Sequence, residues 1–428
     1  MKSKSNQFQK TIFLTLCSIT ACVLVYFIFY KLSIVSAFPK GNNMLKFDAN
    51  WFKGIGEVGY TYTPNSQSDI AFFPLFPYFW EWTSLNGFNI SALNMVIFVV
   101  SFALLMAYER KDALYTMAIS SLPCFVFFFM PYSEALFFLF GTLLLIGYQK
   151  KSLVFQFVGI FGCCLTRSAG TIFLPAMLFT ELLAAAYLVE SKKQIFRNCL
   201  SNLTACISGV LITIVVQGVQ TGKWFYFIEV QKYWSRRWLI PSVPFTLKYP
   251  QNALGLDAVA LLIGAIATLF CIRWVFYFLK HYIKHTKTQQ EGNNLSRSIF
   301  FSALFLSGVA IIDTHFTYDV GGRTAMRSIG RHLICTPFAI YFLNWLNGNY
   351  KPDSKDVYWI LGLFFAGIYL GGVFEYIDHF AYYVLFGLAF LAVKFYPKFK
   401  FTQYVLLLFN LIWVVLFFNA YLNGHWIG

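Results

Sequence analysis

Charge is scarce in this sequence and unevenly signed. Of 428 residues, 12% are Asp, Glu, Lys or Arg, and 18 acids face 33 Lys and Arg; a soluble globular chain carries roughly 25% charge. Long polar stretches are missing too. No segment is polar enough to be a separate soluble domain, although the length alone would allow two or three. Nine Cys are present, but none forms a C-x-x-C pair, so the pattern excludes a zinc ribbon or a disulfide framework. They read as buried apolar side chains. The six His show no metal-ligand spacing; His281 and His285 are four apart but lie among basic residues. Asp313, His315 and Asp319 are too scattered for a metal site. H-E-x-x-H, P-loop and G-x-S-x-G motifs are all lacking. No metal and no cofactor is expected.

What fills the sequence is apolar bulk: 58% hydrophobic and 21% aromatic residues, with 51 Phe. So much apolar surface suits lipid better than water. Apolar runs of roughly 15–25 residues, the length that crosses a bilayer, fall near 11–37, 91–107, 113–130, 133–149, 152–166, 169–189, 200–219, 253–279, 298–314, 330–347, 357–373, 378–393 and 402–421. The expectation is an all-α polytopic membrane protein with about thirteen transmembrane helices. Lys2, Lys4 and Lys10 precede the first run, and Val35-Ser36-Ala37 resembles a cleavage site. The run is longer than a signal-peptide core, which points to an uncleaved anchor.

Orientation follows from the cations. With the N-terminus in the cytoplasm, 20 of the 33 Lys and Arg fall in cytoplasmic loops or helix ends, and each such loop holds at least two. The net charge of +15 is then a topology signal and requires no nucleic acid. Segments 38–90, 220–252 and 315–329 lie outside, while 280–297 is the one long cytoplasmic loop. No internal repeat is visible, which weighs against a secondary transporter.

The first exterior loop carries the clearest constellation. Asp48, Trp51, Phe52 and Ile55 follow i, i+3, i+4, i+7 spacing, which predicts a short helix along the membrane surface with one acid on its apolar stripe. Gly59 is expected to stop that helix, and Pro74 and Pro77 to hold an extended, stiff segment. An unpaired carboxylate is costly at such a place, so Asp48 is the first candidate for chemistry and Glu57 the second. Exterior cations cluster at Lys223, Lys232, Arg236, Arg237 and Lys248, and again at Arg323, Arg327 and Arg331. Arg offers a planar fork of donors for phosphate. Arg327 and Arg331, four apart, are expected on one helix face. The interleaved Trp224, Tyr226, Tyr233, Trp234 and Trp238 suit a sugar face or an interfacial belt. Ser133 and Ser168 read as helix caps, with Glu134 in a first helical turn, and Glu134 and Arg167 as a pair joining two helices.

The run K-F-D-A-N-W-F-K-G-I-G-E-V-G-Y, followed by A-F-F-P-L-F-P, resembles the first luminal loop of the GPI mannosyltransferase II family. That family's pattern is approximately Arg-Trp-Asp-Ala, Glu-His-Gly-Tyr and Ala-Phe-Phe-Pro-x-Phe-Pro. Asp48, Ala49, Glu57, Gly59 and Tyr60 match it; Lys46, Phe47 and Val58 stand where the family has Arg, Trp and His. Pro131–Phe137 and Thr166–Gly170 are similar too, and beyond them only Gln231, Trp234 and Arg331.

The resemblance implies a GT-C-type glycosyltransferase fold, with an N-terminal module over 1–219 and a C-terminal module over 220–428. It implies metal-independent, inverting transfer of a hexose, by default mannose, from a polyprenyl-phosphate donor to a lipid or glycan acceptor outside the membrane. The departures suit a prokaryotic relative, hence a bacterial plasma membrane rather than the endoplasmic reticulum. Asp48 would be the general base, with Glu57 next in line. Arg236, Arg237, Arg327 and Arg331 would hold the donor phosphate. Trp51, Tyr60, Gln231, Trp234, Glu134 and Arg167 would contact substrate. The rival readings are a flippase or transporter of lipid-linked sugars, an oligosaccharide ligase or polymerase, and a non-catalytic scaffold.

Overall fold

Two long helices show how this chain meets its surroundings. In the first, Thr11, Thr15, Ser18 and Cys22 are buried while Phe13, Leu16, Val23, Leu24 and Phe27 are exposed. In another, Asn198, Asn202, Gly209, Thr213 and Gln217 face inward while Phe196, Leu200, Leu211, Val215 and Val219 face out. This is the reverse of a water-soluble helix. Small and polar side chains mediate helix contacts, and bulky apolar ones face a medium as apolar as themselves. A Cβ on Gly209 would lie 2.7 Å from Cys164 Cβ, so the absence of a side chain is what allows this close crossing. The chain is therefore an all-α, multi-pass membrane protein.

The computed structural model describes residues 2–107, 111–188, 190–246, 253–283, 295–348, 350, 353–395 and 398–428. Arg110, Lys248, Lys284, His285, Lys287 and Lys351, and most of the 280–297 loop, lie outside the described residues.

In chain order the helices are α1 (Lys2–Lys31), α2 (Asp48–Val58), α3 (Leu75–Thr83), α4 (Gly87–Met106), α5 (Ala113–Ser120), α6 (Glu134–Lys150), α7 (Leu153–Thr166), α8 (Phe173–Tyr187) and α9 (Lys192–Thr221). There follow α10 (Tyr226–Glu229), α11 (Leu256–Ile283), α12 (Arg297–His315), α13 (Ile329–Leu333), α14 (Pro337–Gly348), α15 (Ser354–Leu370), α16 (Ile377–Phe395) and α17 (Phe401–Leu422). Among the described residues, 8 helices are long and apolar enough to cross a membrane alone, or up to 9 if a bent pair counts as one span. The other runs marked in the sequence form shorter or broken helices. One apolar core extends from α1 to α17 and through both halves of the chain.

The segments expected outside the membrane are more ordered than loops. α2 begins at Asp48 and ends at Val58, with Gly59 at φ 82, a conformation glycine adopts without a Cβ penalty. The proline segment departs from expectation. Residues 75–83 are helical, because Pro77 sits in the first turn of α3, where its missing N–H would have no intrahelical acceptor. Tyr421 donates its hydroxyl to Met44 O at 2.6 Å and so fastens the strand of chain that leads into α2.

The sequence pattern held no strands, yet two short antiparallel pairs are present. β1 (Arg237–Trp238) pairs with β2 (Phe316–Thr317), and β3 (Asp319–Val320) with β4 (Arg323–Thr324). Leu239 N–H adds a bond to His315 O at 2.8 Å, and Thr246 bridges Ala325. These bonds strap residues 237–246 to residues 315–325.

Candidate functional site

The segments that the charge pattern puts outside meet around one cavity of about 650 Å³. Its lining comes from α2, from the starts of α6 and α13, from the ends of α7 and α12, from residues 231–236 and from Trp426. Asp48, Trp51, Arg167, Gln231, Trp234, Arg236, Arg327 and Arg331 all line it. Helix periodicity aims Asp48 and Trp51 into the cavity while Ala49, Phe52 and Ile55 anchor α2 in the core.

Arg331 is the hub. Its side chain is 6% exposed and donates from Nη1 to Asp48 Oδ2 at 2.7 Å; Asp48 itself keeps 14%. Its Nε donates to Glu134 Oε1, and Arg167 Nη1 reaches the same oxygen at 3.1 Å. Glu134 is fully buried in the first turn of α6, and Ser133 before it makes no capping bond. The Arg331 guanidinium also lies over Tyr132 at 4.6 Å and Phe127 at 5.0 Å. Close approach of α13 to α11 sets this geometry: Gly330 N–H donates to Asp257 Oδ1 at 2.6 Å.

A second acid organises the opposite wall. Asp313 takes Arg236 Nη1 at 3.6 Å and His332 Nδ1 at 2.8 Å. Arg327 lies over Trp426 at 5.2 Å and pairs with no carboxylate among the described residues. Arg327 is not on a helix with Arg331. Ser328, between Arg327 and α13, adopts φ 63 and precedes the first helical turn. An aromatic wall completes the site, with Trp51 and Trp234 rings 5.6 Å apart and Phe72 against both. Four Arg face Asp48, Asp313 and the Glu134 behind them, so four positive charges against three negative leave one in surplus. Among the described residues, no cluster of His, Cys, Asp or Glu could hold a metal ion.

Three candidates lie elsewhere. Glu57 is nine residues after Asp48, which turns it about 180° around the helix. It pairs with Lys53 at 3.5 Å beside a separate pocket of about 370 Å³. Arg237 is exposed, because adjacent side chains of extended backbone point to opposite sides and Arg236 takes the inward one. Tyr60 is buried beneath the wall, donates to Phe72 O at 2.9 Å, and burial holds its phenol well above the ordinary range. It braces the site from behind. Asp313, His332 and Trp426 were missed as site residues. The available signal was the adjacency of His332 to Arg331 at the start of an exterior helix.

No family model, curated protein or solved structure matches the chain.

Proposed function

We propose that the chain is a GT-C-type glycosyltransferase, related to the GPI mannosyltransferase II family, that transfers a hexose, by default mannose, from a polyprenyl-phosphate donor on the non-cytoplasmic face. The observation that carries this reading is Asp48 in a cavity lined by four Arg and by Asp313, with one positive charge in surplus once Glu134 behind the wall is counted and an indole pair alongside. A sugar phosphodiester brings one negative charge, and departure of the sugar makes it two; arginine forks suit both states. Trp51 and Trp234 offer apolar faces for a pyranose ring. Asp48 would take the proton of the acceptor hydroxyl, a role that needs hydrogen-bond reach. Arg331 holds Asp48 until the donor phosphate draws the guanidinium away.

The topology behind this reading has thirteen crossings, with α5 and the 3-10 segment Pro123–Phe129 forming one of them. Support comes from the ion pairs. Lys400–Asp112, Arg273–Asp356, Arg297–Glu181 and Lys151–Glu190 join residues assigned to the cytoplasm, while Arg331–Asp48, Arg236–Asp313 and Arg323–Glu375 join exterior ones.

Two experiments test the proposal. The purified chain in proteoliposomes is expected to consume synthetic polyprenyl-phosphate mannose. Mass spectrometry of glycolipids from a deletion strain is expected to show an intermediate lacking one hexose. An unchanged glycolipid profile together with an untouched donor would reject the reading, and donor translocation without hexose transfer would favour a flippase.

A further inference from the structure

His332 is the one imidazole among the described residues that line the cavity, and imidazole is the side chain whose unperturbed proton exchange falls near neutral pH. Asp313 Oδ2 takes its Nδ1 at 2.8 Å, which fixes the ring and leaves Nε2 as the nitrogen without a partner among the described residues. The ring lines the cavity and keeps 18% of its side-chain surface exposed. The arrangement is a carboxylate–imidazole dyad. Asp313 is itself 7% exposed and sits at the C-terminal end of α12, and its second oxygen faces Arg236 at 3.6 Å. Asp48 approaches the cavity from α2, away from this dyad, and has Arg331 as its own partner. The site thus holds two groups able to exchange protons, each oriented by a different charged neighbour.

We infer that His332, oriented by Asp313, is the proton donor to the departing phosphate of the hexose donor. This rests on the glycosyl-transfer reading. In the step, the bond from sugar C1 to the phosphate oxygen breaks and its electron pair stays on that oxygen. The acceptor oxygen bonds to C1 and its proton passes to Asp48. The Nε2 proton of His332 passes to the phosphate, whose second ionisation lies near a pKa of about 6 and so matches an imidazole. One proton returned from Asp48 to His332 through cavity water restores the starting state. The charged groups facing His332 are Asp313 from α12, Arg236 from the segment before β1 and Arg167 from the end of α7, while Asp257 of α11 bonds Gly330 N–H on the same short helix. Arg327 and Arg331 flank it on its own segment.

The test uses the full chain in lipid nanodiscs and farnesyl phosphate as the probe. Binding to the wild type is expected to weaken as pH rises through the imidazole range, and His332→Gln to remove that component and weaken binding about tenfold on the acidic side. The probe's own ionisation is common to both proteins and cancels in the comparison. In transfer assays His332→Gln is expected to lower kcat by about 10²-fold with little change in KM, the range of general acid catalysis. Asp313→Asn, which preserves size, is expected to alter the pH profile in the same direction by a smaller amount. A wild type that transfers hexose while His332→Gln keeps its rate and pH profile would overturn the inference and leave the transfer reading intact. The His332-dependent binding component without any hexose transfer by the wild type would uphold the phosphate contact and reject the transfer reading.

Discussion

Two arginines in this protein carry nearly the same partners and live in opposite circumstances. Arg297, at the start of α12, is 5% exposed and bonds Glu181 through Nε and Nη2, with Glu190 on Nη1. Arg331, in α13, is 6% exposed and bonds Glu134 and Asp48. Each is a buried cation between two acids. The difference is access. The Arg297 cluster closes on itself, with Lys151 at its edge, and lines no described cavity. The Arg331 cluster opens onto about 650 Å³ that also holds Arg327, which has no carboxylate partner among the described residues. A buried ion pair is therefore no sign of function by itself; what marks a site is a charge network with one side left for a ligand.

The largest expected effect separates the two clusters most sharply. Asp48→Asn is expected to lower single-turnover transfer by about 10²–10⁴, the usual cost of losing a general base, with thermal unfolding nearly unchanged. A variant within a factor of a few of the wild type would remove Asp48 from the chemistry. Arg297→Ala leaves Glu181 buried without its counterion and Glu190 with Lys151 alone, and the expected cost is about 3–5 kcal/mol of stability. It should appear as a lower unfolding temperature and yield, with turnover per folded molecule preserved. Loss of turnover in the folded fraction would erase the contrast drawn above.

A smaller effect belongs to Arg327. Removing it strands no carboxylate, so Arg327→Ala is expected to fold normally and bind farnesyl phosphate roughly tenfold more weakly, about what one charge-assisted hydrogen bond contributes. Arg327→Lys is expected to restore part of the affinity, since the charge returns without the fork. Unchanged affinity in both would place the surplus charge outside the phosphate site. Smallest of all are Glu57→Gln and Arg237→Ala, both solvent-exposed, each expected to shift stability by less than about 0.5 kcal/mol and to leave donor affinity unaltered.

The fold was legible where one residue pattern decides it. Apolar runs marked many of the helices, and the spacing of Asp48, Trp51, Phe52 and Ile55 marked α2 as a short helix that contains Asp48. Gly59 marked its stop. Pro77 misled because proline forbids a helix interior but tolerates a first turn, and the first turn of α3 is not visible until its end is known. Arg327 and Arg331 misled because four-residue spacing means a shared face only inside a helix, and Ser328 interrupts it.

The candidate site was legible residue by residue but not as an assembly. Asp48, Glu134, Arg167 and Arg331 could each be marked from local context. That one carboxylate oxygen of Glu134 serves two arginines, and that Asp313 reaches His332 across 19 positions, are tertiary facts. The short strands that tie residues 237–238 to 316–317 left no trace either, since two-residue pairs carry no periodicity.

The double engagement of Glu134 also has a history in time. Arg167 follows it by 33 residues in the chain, and Arg331 by 197. At roughly 5–20 residues per second of synthesis, the first partner emerges within about 2–7 seconds and the second about 10–40 seconds after Glu134. A lone carboxylate held at membrane depth for that long would favour withdrawal of α6 from the bilayer. Arg167 is the early counterion, available to neutralise Glu134 as soon as α7 has been made. Arg331 arrives later at a carboxylate already in place, and in joining it brings Asp48 to the same spot.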